Sequence, residues 1–142
     1  MNPTVEKFGN PSTLVREFEN WLALLRPAQV TLGSLVLAAK SAATAYSDLS
    51  REAFAEQADA VAAIEQALYR FTAYERINYL MLMMVDPNVH FHVIPRYSDP
   101  RRWNGLEFPD QGWPGAPRLD SAMKLDKDQL AKLVAEISPI FR

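Results

Sequence analysis

His90 and His92, the two histidines of the chain, lie in a single short segment that also carries an amide and a guanidinium. The segment over residues 88–96 is Asn-Val-His-Phe-His-Val-Ile-Pro-Arg. Its alternation of polar and apolar residues predicts a β-strand, in which successive side chains point to opposite faces. Asn88, His90 and His92 would then share one face, and Arg96 would place a permanent positive charge near this row.

Spacing alone leaves three interpretations of this polar row open. The histidines can be exposed strand residues without a chemical role. They can be two ligands of a metal ion, which would need carboxylates from elsewhere in the chain. Alternatively, one imidazole is a nucleophile and its neighbours position the reacting group. Arg96, Arg101 and Arg102 would then suit an anionic substrate that carries phosphate.

The segment resembles the signature of the histidine triad superfamily, in which three histidines alternate with hydrophobic residues and two apolar residues follow, commonly with Pro-Arg after them. Asn88 stands where the family has its first histidine. Upstream, Arg26-Pro27 and the Leu-Gly-Ser-Leu-Val-Leu of residues 32–37 are similar to the family's Lys-Pro loop and its Gly-His-x-Leu-Val strand. The resemblance covers about residues 14–100.

This resemblance implies a nucleotide phosphoanhydride or phosphoramidate hydrolase, or a nucleotidyl transferase, acting on the α-phosphate of substrates such as diadenosine polyphosphates. In the family the middle histidine attacks the phosphorus and forms a covalent nucleotidyl-imidazole, and His90 matches it. His92 matches the third histidine, which binds the phosphate and assists proton transfer. Asn88 matches the first, although an amide relays no proton at neutral pH. The family chemistry requires no cofactor and no metal.

Arg96, Ser34 and Trp113 are the candidate substrate-binding residues, the last because an indole ring stacks well on a base. Ser34 also marks a departure, since members often carry a further histidine there. Leu24 stands where members hold the ribose with Asp or Asn, and residues 84–87 are shorter than the usual Gly-rich phosphate loop. These departures keep an alternative function open, a non-catalytic nucleotide-binding or interaction module on the same scaffold.

The elements that must position the motif follow from hydrophobic periodicity. Residues 14–26 predict two short strands around a turn, and residues 32–38 predict a third. Residues 77–85 are apolar almost throughout, which predicts a central buried strand forming a hairpin with residues 88–96 across a tight Asp-Pro reversal. An apolar stripe over residues 50–71, with serine as its N-cap, predicts a long helix across the sheet.

We therefore expect one α+β domain over residues 1–142, with a mostly antiparallel sheet of about five strands. A loosely held arm over residues 1–12, a Pro/Trp-rich loop over residues 97–124 and a C-terminal helix over residues 125–138 complete it. The helix is indicated by an Asp-x-x-Gln capping box. The resemblance also implies a homodimer with sheets joined edge to edge.

Composition narrows the class of protein further. The chain has 142 residues, no cysteine and a formal charge of −2. The lack of cysteine excludes a disulfide scaffold, a Cys-rich zinc site and a thiol nucleophile. The charge balance disfavours a nucleic acid polymer as partner. Since no membrane-spanning or signal-like segment is present either, we expect a cytoplasmic protein that binds a small nucleotide and no membrane.

Overall fold

The computed structural model describes residues 2–142, and a five-stranded antiparallel sheet with the order β1-β2-β4-β6-β5 is its centre. The strands are β1 (Leu14–Glu17), β2 (Trp21–Leu25), β3 (Ala28–Gln29), β4 (Leu35–Ala39), β5 (Arg76–Leu80), β6 (His90–Arg96), β7 (Arg101–Trp103), β8 (Leu106–Phe108) and β9 (Met123–Lys124). β3 pairs with β9, and β7 with β8. The helices are α1 (Pro3–Lys7), α2 (Arg51–Thr72) and α3 (Lys127–Ile137). The predicted α+β class with five strands, a long helix and a C-terminal helix is confirmed.

The long helix α2 covers one face of the sheet. Its first turn is capped by the Ser50 hydroxyl, which accepts a hydrogen bond from the Ala53 amide at 3.0 Å. The apolar stripe of α2 is fully buried at Ala60, Ile64 and Leu68. These side chains join the core cluster formed by the odd-numbered residues of β2 and β4. The even-numbered residues of the same strands therefore point to the opposite face.

The opposite face is covered by the N-terminal helix α1. The sequence predicts a loosely held arm over residues 1–12, whereas the described part of this segment is folded and packed. The Asn2 side chain caps α1 and donates to the carbonyl oxygens of Ala39 and Ser41 at 2.8 and 2.9 Å. Val5 and Phe8 are buried against the sheet. Because α1 has only one turn and a half, these tertiary contacts hold it in place rather than helix propensity.

The apolar segment that follows α2 differs from its prediction. β5 ends at Leu80 and lies at an edge of the sheet, and Met84 is 86% exposed. The prediction of a buried central strand over residues 77–85 is therefore wrong. β5 and β6 do pair antiparallel, but residues 81–89 join them in place of a tight reversal. An apolar run has no periodicity that distinguishes a strand from the connection beyond it.

The Pro/Trp-rich segment 97–124 contains the β7–β8 hairpin and is therefore not wholly irregular. Trp103 anchors this hairpin to α3, since its indole nitrogen donates to Glu136 Oε2 at 2.7 Å. The predicted capping box of α3 is present, with Asp126 and Gln129 bonding each other's main-chain amides at 2.8 and 3.0 Å. Within residues 2–142, no helix is both long enough and apolar enough to cross a membrane.

Candidate functional site

The two histidines lie side by side on the sheet face opposite α2. His90 is paired with Ala38 of β4, and His92 with Val36. Their rings are 5.2 Å apart between centroids and meet at 79°. The predicted sharing of one face by His90 and His92 thus follows from the strand period.

His90 is held in one tautomer by the main chain. Its Nδ1 lies 2.7 Å from the carbonyl oxygen of Asn88. A carbonyl oxygen only accepts hydrogen bonds, so Nδ1 of the neutral ring carries the proton and Nε2 keeps its lone pair. His90 is 2% exposed, yet it still lines a cleft. The ring is therefore oriented as a nucleophile or acceptor at Nε2.

His92 has the opposite hydrogen-bonding character. Arg26 Nε donates to its Nδ1 at 3.4 Å, and a guanidinium has no acceptor. The proton of the neutral His92 ring is therefore on Nε2. Burial, together with the charge of Arg26 and the neighbouring His90, lowers the pKa of His92 to about 4, against a weaker opposite effect of Asp86. The neutral His90 ring thus offers an acceptor at Nε2, and the neutral His92 ring offers a donor at Nε2.

Asn88 lies on the same side of the sheet as the two histidines, as the sequence predicts, but it does not line the cleft. It precedes β6, and its side chain turns toward α1. Its Oδ1 accepts from the Thr4 hydroxyl at 3.1 Å, and its Nδ2 donates to the Ala42 carbonyl at 2.9 Å. The amide is therefore an anchor for α1, while the main-chain oxygen of the same residue bonds His90.

Arg96 belongs to a buried ion pair away from the histidines. It is 4% exposed, and its Nε and Nη2 bind the two carboxylate oxygens of Asp110 at 2.6 and 3.1 Å. Nη1 donates to Asn78 Oδ1 at 2.7 Å, and Nη2 also donates to the Gly115 carbonyl at 2.8 Å. The donors of Arg96 therefore hold segment 110–115 against the sheet, and Arg96 does not line the cleft, so that substrate binding by Arg96 stays a prediction.

Ser34 and Trp113 are not part of the cleft either. Ser34 is completely buried, and its hydroxyl donates to the Thr31 carbonyl at 2.8 Å in the turn before β4. Trp113 lies in the segment after β8 and is absent from the walls of the cleft that the histidines line. Leu24 is buried beneath α1 in the cluster that contains Phe8.

The cleft has a volume of about 310 Å³, and several of its walls were not predicted from the sequence. Phe8 lies 5.8 Å from the His90 ring and 5.9 Å from the His92 ring between centroids. Lys7 Nζ binds Asp86 Oδ1 at 2.8 Å and so links α1 to the connection before β6. The cleft is lined by Lys7, Phe8, Arg26, Leu82–Asp86, His90, His92 and Leu119. The similarity of Arg26-Pro27 to the Lys-Pro loop of the family was a signal for Arg26 in the sequence. No feature of the sequence indicated Phe8.

The donor set for a metal is small. Among residues 2–142, no group of three or more His, Asp or Glu side chains is close enough to share an ion. Of the described residues, the two imidazoles stay the candidate ligands for a metal ion at this site.

Comparison with solved structures identifies the class of fold. The chain is similar to a histidine triad protein from Sinorhizobium meliloti, with a TM-score of 0.70 and 19% identity over 96% of this chain and 95% of that one. A hypothetical histidine triad nucleotide-binding protein from Sulfolobus tokodaii gives a TM-score of 0.65 and 22% identity over 91% and 83%. Diadenosine triphosphate hydrolase from Plasmodium falciparum gives 0.64 and 11% over 92% and 76%.

No protein-family model matches the sequence, and no curated protein matches it either. The assignment of the fold therefore rests on the similar solved structures. The chain has the histidine triad fold, as the resemblance of its sequence implies.

Proposed function

We propose that the protein is a nucleotide hydrolase or nucleotidyl transferase that acts at the α-phosphate through a covalent nucleotidyl-His90 intermediate. The contact of 2.7 Å between His90 Nδ1 and the Asn88 carbonyl carries this proposal, because it leaves the Nε2 lone pair for attack. The fold supports it, since similar structures include a nucleotide-binding protein and a diadenosine triphosphate hydrolase. Diadenosine polyphosphates and adenosine phosphoramidates are the substrates to test first.

The proposed reaction has two displacements at phosphorus. His90 Nε2 attacks the α-phosphorus; an N–P bond forms while the bond to the leaving group breaks, and the leaving group takes the electron pair. The Asn88 carbonyl stabilises the positive charge that develops on the ring through the Nδ1 proton. His92 donates its Nε2 proton in a hydrogen bond to the phosphate. Water then attacks the phosphorus, the N–P bond breaks and its electron pair returns to Nε2, while the attacking water releases a proton to the solvent.

A non-catalytic nucleotide-binding module is the second candidate function. The observation that favours it is the cover over the two rings, because Phe8 contacts both and His92 is only 7% exposed. A substrate phosphate would have to pass this cover to reach Nε2 of His90.

The homodimer also stays a prediction, and β1 and β5 are the edge strands that it would use.

The test is acid-quench mass spectrometry after incubation with diadenosine triphosphate, diadenosine tetraphosphate and adenosine 5′-phosphoramidate. Wild type is expected to carry a transient adenylyl group on His90. His90→Ala is expected to form no adduct and to lose turnover by on the order of 10⁴-fold or more. His92→Gln is the matched control, since it removes an imidazole but keeps the nucleophile. AMP binding without adduct or turnover for every substrate would favour the binding module.

A further inference from the structure

Arg96 is buried and Arg26 is half-buried, and the chain neutralises these two arginines differently. Arg96 has the carboxylate of Asp110 as its counter-ion. Arg26 bonds only neutral acceptors, through Nε to His92 Nδ1 at 3.4 Å and through Nη1 to the Ala28 carbonyl at 2.5 Å. None of the ion pairs formed within residues 2–142 includes Arg26.

A partly buried guanidinium without a counter-ion is costly, because it has lost water and gained no opposite charge. Burial lowers the pKa of Arg26 from its ordinary value, and the group nevertheless stays charged at neutral pH. The other cation at the cleft, Lys7, is paired with Asp86. The uncompensated positive charge of the cleft therefore lies at Arg26, where it would attract a bound anion.

The two hydrogen bonds of Arg26 occupy Nε and Nη1, and within the described chain Nη2 bonds no partner. Arg26 lines the cleft together with His90 and His92. The same guanidinium thus orients His92 with one nitrogen and offers another to a ligand. Planar donors of this kind are well suited to phosphate oxygens.

We propose that Arg26 is a catalytic residue that binds a non-bridging oxygen of the α-phosphate through Nη2 and stabilises the charge that develops there during attack by His90. This inference rests on the proposed function. Arg26 would supply a phosphate contact in place of the Gly-rich loop of the family, since residues 84–87 are shorter than that loop and contain no glycine. Negative charge on a phosphoryl group in the transition state is stabilised most by a fixed cation beside it.

The experiment compares the affinities of AMP and adenosine by calorimetry for wild type, Arg26→Gln and Arg26→Lys. Arg26→Gln is expected to weaken AMP binding by about tenfold to a hundredfold and to leave adenosine binding unchanged. Unchanged adenosine binding also shows that the cleft is intact. Arg26→Lys keeps the charge without the planar fork, so it is expected to lose AMP affinity by a smaller factor. Arg51→Gln, on the opposite side of the sheet, is the charge-matched control and should behave as wild type.

Equal AMP affinity in wild type and either Arg26 variant would overturn the proposal, as would a wild type that binds AMP no more tightly than adenosine. The rate of adduct formation on His90 is measured in parallel and is expected to fall by about 10² to 10³-fold in Arg26→Gln. An unchanged rate would also overturn the catalytic role. If AMP binding depends on Arg26 but wild type forms no adduct, the covalent function fails while the phosphate contact of Arg26 stands.

Discussion

The neutral state of His92 makes the stability of the protein depend on pH in a defined window. His92 has a pKa of about 4 in the folded chain, because it is buried beside Arg26 and His90. Its ordinary value, which applies in the unfolded chain, is 6.5. Between these values the unfolded chain binds a proton that the folded chain does not bind. The contribution is therefore fully present above pH 6.5 and is lost as the pH falls toward 4.

The magnitude follows from the two pKa values. Their difference corresponds to about 3 kcal/mol in total, since each pKa unit is worth about 1.4 kcal/mol. At pH 5, where the unfolded imidazole is almost fully protonated and the folded one is mostly neutral, the loss reaches about 2 kcal/mol. Glutamine does not titrate, so His92→Gln removes this contribution and keeps a polar side chain at the position.

The assay is urea unfolding of wild type and His92→Gln at pH 8 and at pH 5. Wild type is expected to lose about 2 kcal/mol more than the variant between these pH values. Other titrating groups are shared by both proteins and cancel in the difference. An equal loss in the two proteins would show that His92 keeps its ordinary pKa in the fold and that burial beside Arg26 does not lower it.

Two further substitutions separate structural from chemical roles. Asp110→Asn is expected to lower the free energy of unfolding by about 3–5 kcal/mol, because Arg96 stays buried without its counter-ion. Glu107→Gln, at an exposed ion pair, is the control, and an equal loss in urea unfolding would contradict the reasoning. Asn88→Ala is expected to cost about 1–3 kcal/mol through the lost anchor of α1. It should still form the adduct on His90, since the main-chain carbonyl remains; an acid quench without adduct would refute this.

The parts of the fold that were predictable from the sequence depend on local periods. The alternation in β6 placed His90 and His92 on one face, and the stripe and caps of α2 and α3 placed both helices. Each of these signals lies within one element, so it needs no knowledge of what packs against it. The apolar run after α2 lacks such a period. Its position at an edge depends on the sheet order, which makes β6 and not β5 the inner strand.

The parts of the site that were not predictable come from distant segments. Phe8 reaches the histidines because α1 folds back across the sheet, and Arg96 pairs with Asp110 and does not line the cleft. In the sequence, Arg96 is a cation beside two histidines and nothing marks its partner. Only the tertiary structure shows that the charge of Arg96 is compensated and that of Arg26 is not.

The replacement of the first motif histidine by Asn88 has a different meaning once the contacts are known. The hydrogen bond that fixes His90 comes from the carbonyl oxygen of residue 88, which every amino acid has. A change of side chain there leaves the tautomer of His90 intact. The amide is then available for Thr4, and this contact holds α1 where Phe8 covers both imidazoles. The residue that departs from the histidine triad pattern therefore keeps the orientation of His90 and helps to build the cover over the cleft.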